Sequence, residues 1–181
     1  MTLDERVNDY LKKFAVLLDR EIRYFKEQSS FIEALNKAAV AEMSSGKSSH
    51  QRRIQVATLE KAQQLLIENK DRISSSTSFS ELYCEIEKTR KISGIGELYV
   101  YDTSWRIGAY LGIEPDLVYI HAGTRKGSEA LGFSLDRKTI DRKEFPPSIQ
   151  RLQPIHIENF LCLYKDRFWN DQDAEKLIRV C

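Results

Sequence analysis

The stretch Ile92-Ser93-Gly94-Ile95-Gly96-Glu97-Leu98 limits what this chain can fold into more than any other. Two glycines one residue apart permit a turn too tight for side chains, and let that backbone approach a ligand closely. The residues before it, from Ser78 or Ser80 through Leu82, Ile86 and Thr89, carry a helical apolar spacing. The residues after it, Glu97 to Leu111, read as a second helix, with Gly112 suited to its C-terminal cap. The sequence therefore predicts two helices joined by a tight hairpin. N–H groups at the start of the second helix point outward at the positive end of its dipole, which suits a phosphate. Ile95, between the glycines, is expected to plug the groove between the two helices.

Over roughly residues 80–112 this pattern resembles the helix-hairpin-helix DNA-binding family. The resemblance implies that Gly94, Ile95 and Gly96 grip the DNA backbone, in DNA repair or genome defence. Such binding follows DNA structure rather than sequence, because backbone contacts carry no base code. Over roughly residues 80–125 the chain is also distantly similar to the helix-hairpin-helix DNA glycosylases. Their pattern, Leu-Pro-Gly-Val-Gly-Arg-Lys-Thr-Ala, is followed by an acidic residue beyond the second helix. Here Leu98 stands at the position of the glycosylase lysine, and Thr103 arrives several residues late. Counting straight on lands near Asp116, whereas aligning on Thr103 lands near Ile120 and His121. That resemblance implies a divergent glycosylase with Asp116 or His121 as catalytic candidates, and without the lysine no Schiff-base route. Read from the residues alone, Asp116 after Pro115 is a first-turn residue favoured by the helix dipole, and His121 a structural histidine.

Two basic stretches could supply further phosphate contacts. Ser44 to His50 is a loop by composition, and Lys47, His50, Arg52 and Arg53 cluster in and after it. Gly46-Lys47-Ser48 invites a phosphate-loop reading, but Ala41 stands where the Walker pattern needs glycine. In His121-Ala122-Gly123-Thr124-Arg125-Lys126-Gly127, two glycines flank a hydroxyl and two cations. Arg52, Arg53, Thr124, Arg125 and Lys126 thus join the hairpin as candidate DNA contacts, the alternative being ordinary solvated turns.

The rest of the chain reads as helix. Val7, Tyr10, Leu11, Phe14, Leu17, Leu18, Ile22 and Phe25 form one stripe on a long N-terminal helix from Leu3 to about Glu27. That stripe is core, or the seam of a homodimer or of a protein partner, which keeps a helical adaptor open as a third function. Ser30 with Glu33 predicts a capping box for a helix to about Met43, and residues 56–71 a third helix. Asp102 or Thr103 reads as a plain N-cap, Trp105 as core, and Arg106 as a partner for Asp102 at helical spacing. Pro115, Pro147 and Pro154 each suit the first turn of a helix, and Asn170 to Asp173 a last cap. The expectation is all-α: one helical domain containing the hairpin, divided if at all into residues 1–72 and 73–181.

Composition bounds the partners. A net charge of +1 gives no global positive field, so any DNA surface must be a local patch. Cys84, Cys162 and Cys181 are unclustered and far in sequence from the histidines, against a zinc site or a disulfide framework. No metal and no cofactor is expected. No apolar run approaches the roughly 20 residues of a membrane span, so no membrane partner and a cytoplasmic location are expected.

Overall fold

Capping residues decide where the helices begin. The computed structural model of the protein describes residues 1–47, 51–134 and 136–165. Thr2 caps α1 (Leu3–Tyr10) in a reciprocal box: its hydroxyl accepts from the Glu5 N–H at 3.2 Å, and the Glu5 carboxylate accepts from the Thr2 N–H at 2.8 Å. One π turn, Leu11–Ala15, leads into α2 (Val16–Lys26). The expected long N-terminal helix forms, but its wide turn shifts the apolar phase. Val7, Tyr10, Ala15 and Phe25 are buried, whereas Leu11 and Leu17 of the expected stripe stay 41% and 48% exposed.

Ser30 caps α3 (Phe31–Ala39), accepting from the Glu33 N–H. The Glu33 carboxylate reaches the Ser29 N–H rather than that of Ser30, so the expected box is displaced by one residue. The helix stops short of Met43 because Ala41 takes a left-handed φ of +59°. The chain then forms a small antiparallel pair, β1 (Glu42–Met43) with β2 (Gly46–Lys47). α4 (Val56–Glu68) and α5 (Lys70–Ser74) follow, then α6 (Phe79–Glu87), capped by Ser78. A 3-10 turn, Lys88–Lys91, and the glycine hairpin lead to α7 (Glu97–Leu111), which Gly112 closes at φ +72° as expected.

The expected helix after Pro115 is replaced by β3 (Val118–Tyr119), paired antiparallel with β4 (Thr139–Ile140). Burial alternates along Leu117-Val118-Tyr119-Ile120, with Val118 and Ile120 inside, a period of two that only a strand provides. The basic segment expected as an interrupting turn is instead helix α8 (Ala122–Ala130). α9 (Pro147–Gln150) and α10 (Pro154–Tyr164) each start on a proline, as their sequence predicts. The expected cap at Asn170 to Asp173 lies outside the described residues. Helix makes up 67% and strand 4%, so the all-α class holds despite the two short pairings.

The chain divides elsewhere than at residue 72. One unit is Met1–Leu18 with Asp116–Cys181, the other Asp19–Pro115. In the first, α1 packs on α9 and α8 on α10, around Tyr10, Val118, Phe145, Ile157, Phe160 and Tyr164. The N-terminal helix starts there because Val7 and Tyr10 belong to that core. In the second, α7 packs against both α3 and α6. Every residue of α7 from Tyr99 to Gly108 is buried, which makes it the central helix of its unit.

Candidate nucleic-acid interface

The hairpin is built as its glycines require. Gly94 has φ +93°, a conformation that L side chains rarely adopt. Gly96 is the N-cap of α7 at φ −109°, ψ 178°, ordinary extended backbone, and a Cβ there would meet nothing within 4 Å. Both glycines are exposed, while Ile95 between them is only 7% exposed, and its N–H bonds the Ile92 carbonyl at 3.1 Å. No side chain caps α7, so its first N–H groups have no side-chain acceptor at the N-cap.

A second helix start lies against the hairpin. Gly94 is so close to Thr58, in the first turn of α4, that a Cβ on the glycine would stand 3.5 Å from the threonine methyl. α4 also lacks a side-chain cap at Gln55 and has no acid in its first turn. Arg52 and Arg53 are exposed on the turn just before it, closed by the Ile54 N–H on the Gln51 carbonyl at 3.1 Å. Lys91 is exposed at the hairpin entrance, while Lys88 and Arg90 of the same 3-10 turn pair with Glu85 and Glu87 at 2.5 and 3.6 Å. Two uncapped helix starts thus meet on one unit, with Arg52 and Arg53 exposed just before α4, Lys91 exposed before the hairpin, and Glu97 in the first turn of α7.

Gln51 lies in the basic stretch, between His50 and Arg52, where a solvated side chain would be ordinary. It is instead 1% exposed, and its amide bonds Asp102 and Arg106 on α7. Asp102 is no N-cap either, since it lies inside α7. It pairs with Arg106 at 3.3 Å, as the spacing suggested, and accepts from the Trp105 indole at 3.4 Å. Burial pushes the Arg106 guanidinium down from its ordinary pKa, and the Asp102 carboxylate works against that shift. Lys47's side chain and His50 lie outside the described residues.

The other basic segment differs from expectation. Thr124 is fully buried, and its hydroxyl closes the α8 cap, accepting from the His121 N–H at 2.9 Å. It therefore presents nothing to a ligand. Arg125 is half-buried and Lys126 exposed on α8, in the other unit from the hairpin. His121 is the N-cap of α8 and almost fully buried. The Gly123 N–H must donate, so His121 Nδ1 accepts at 3.2 Å, and Nε2–H donates to Glu158 Oε1 at 2.6 Å. Asp116 is exposed on a bend, outside any helical first turn. Among the described residues no group of three His, Cys, Asp or Glu could hold a metal ion, and no helix is long and apolar enough to cross a membrane.

Sequence reasoning missed Thr58, Lys91 and Gln51. The run Lys88-Thr89-Arg90-Lys91 just before the glycines was a legible signal for Lys91. Thr58 and Gln51 gave none, because only the fold brings α4 and its preceding turn to α7. No protein-family model, no curated protein and no solved structure matches the chain.

Proposed function

We propose that this protein binds DNA, gripping the sugar-phosphate backbone through the Gly94–Gly96 hairpin without reading its sequence. The observation that carries the reading is the hairpin itself: two exposed glycines around a buried isoleucine, at the uncapped start of α7. Supporting it, the uncapped first turn of α4 stands beside Gly94, with Arg52, Arg53 and Lys91 exposed nearby. Backbone N–H groups at helix starts bind phosphate oxygens, and flanking cations add a salt-dependent attraction.

Gly96→Ala is the clean test. Alanine fits the Gly96 backbone, and its methyl enters open space in the free protein. A phosphate drawn against the neighbouring N–H groups would occupy that space. Affinity for single-stranded, duplex and nicked DNA should fall about tenfold, the loss of one charge-assisted hydrogen bond, with circular dichroism unchanged. Equal affinity of the folded variant and the wild type at low and high salt would sink the hairpin grip, as would a wild type that binds none of the three.

A further inference from the structure

We infer that Asp102, Arg106 and Gln51 are positioning residues for the backbone grip: their buried ring holds the Arg52–Arg53 turn in register with the hairpin, making one phosphate-binding surface from two distant segments. This inference rests on the DNA-binding reading above.

The ring closes on itself. Gln51 Nε2 donates to Asp102 Oδ2 at 3.2 Å, Arg106 Nη1 donates to Gln51 Oε1 at 3.2 Å, and Arg106 Nη2 meets Asp102 Oδ2 at 3.3 Å. Gln51 needs a donor and an acceptor on one neutral side chain here. A carboxylate would repel Asp102, and an ammonium would repel Arg106. The Arg106 guanidinium also lies 5.3 Å over the Trp105 ring, and the Trp105 indole donates to the second Asp102 oxygen. The arrangement is costly. Arg106 is fully buried and its Nε has no hydrogen-bond partner. Well-packed apolar residues stabilise such a place at least as well as a buried ion pair does, so what the ring adds is registry rather than stability.

The registry is visible along α7. At 1.5 Å per residue, Asp102 and Arg106 lie about 9 and 15 Å beyond Gly96 on the helix axis. At the other end, Thr58 abuts Gly94. The stretch from Gln51 to Thr58 therefore meets α7 at one end and the hairpin at the other, and Arg52 and Arg53 are exposed between the two contacts. Without the Gln51 tie, the arginines would lose their fixed distance from the hairpin, and ordering them on a phosphate would cost conformational entropy.

Amide hydrogen exchange on the free protein and salt-dependent binding to duplex DNA test this together. Gln51→Ala should raise exchange of the Ile54 and Thr58 amides, which bond the Gln51 and Gln55 carbonyls, roughly tenfold, since their protection depends on local opening. It should also flatten the salt slope by about two units, one for each arginine contact. Adding Gln51→Ala to the Arg52→Ala/Arg53→Ala pair should then change the slope no further. Gln51→Met keeps the side chain's length and burial but none of its hydrogen bonds, so it should flatten the slope as Gln51→Ala does, an outcome that mere packing does not produce. Unchanged exchange in Gln51→Ala overturns the positioning role whatever the DNA result. So does a slope change that adds to that of the arginine pair. If Gln51→Ala does not fold, Gln51→Met decides alone, and a wild-type slope in it overturns the role. A wild type without salt-dependent DNA affinity overturns the DNA reading and this role with it, even where the exchange result shows the tie.

Discussion

Gly127→Ala in α8 should destabilise the protein, although alanine is the better helix former. On propensity alone the change would stabilise by roughly 1 kcal/mol. A Cβ at position 127, however, would stand 2.6 Å from the Leu161 carbonyl oxygen and 3.1 Å from that residue's Cα and carbonyl carbon. These are main-chain atoms of α10, held by helical hydrogen bonds, and Leu161 is fully buried in the core of its unit. Carbon and oxygen approach no closer than about 3.3 Å in favourable contacts, so the two helices would have to part by several tenths of an ångström. Overpacking of this kind costs about 1–3 kcal/mol, and here the obstacle is backbone that cannot rotate away. With the propensity gain subtracted, the upper part of that range leaves a net loss of about 1–2 kcal/mol. For a chain of this size that lowers the melting midpoint by about 3–6 °C. Thermal melts followed by circular dichroism would measure it, with exposed Lys126→Ala on the same helix as control. A Gly127→Ala midpoint at or above wild type would refute the reasoning that α8 and α10 touch through this glycine.

Asp102→Ala should cost about 3–5 kcal/mol in urea denaturation, because it strands the buried Arg106 charge; a loss below 1 kcal/mol would mean that Arg106 finds water instead. Tyr99 donates to the Ala39 carbonyl at 2.9 Å, and burial pushes its phenol up to about 12. The folded value lies above the unfolded value of about 10, so this contribution is complete below that pH and is lost as pH rises towards 12. Urea midpoints should therefore fall across roughly pH 10 to 12 less steeply in Tyr99→Phe than in the wild type, and equal slopes would count against the shift.

The sequence carried most of the helices because their signals are local. Ser30 and Ser78 bond the first turns they precede, Gly112 takes the left-handed cap, and Pro147 and Pro154 occupy first turns. It misled where local signals conflict with period. Pro115 favoured a helix start, yet the run that follows alternates inside and outside as a strand. At His121 to Gly127 the two glycines read as the flanks of a phosphate contact, but they serve close packing: Gly127 against Leu161, and Gly123 against the Cys162 sulfur. At the candidate site, the hairpin glycines were legible because only glycine relieves φ +93° at Gly94. Gln51 was not, since an isolated glutamine beside two arginines reads as solvated loop until Asp102 and Arg106 are brought to it.

The placement of the two catalytic candidates bears on which function the site favours. A base-removing enzyme needs a group ready to take or give a proton where a flipped base would sit. Of His121's two ring nitrogens, one caps α8 and the other bonds Glu158, so proton transfer there would first break the helix's own cap. Leu98, the second residue of α7, offers no amine. The grip needs none of this chemistry. It needs outward N–H groups on a stiff support and cations at a fixed distance from them. The buried central helix α7 supplies the support, and its uncapped start supplies the N–H groups. With a net charge of only +1, the proposed attraction to DNA would act over about a Debye length from Arg52, Arg53 and Lys91. On the proposed DNA-binding reading, geometry at the hairpin, more than charge over the whole molecule, would then decide which backbone is held.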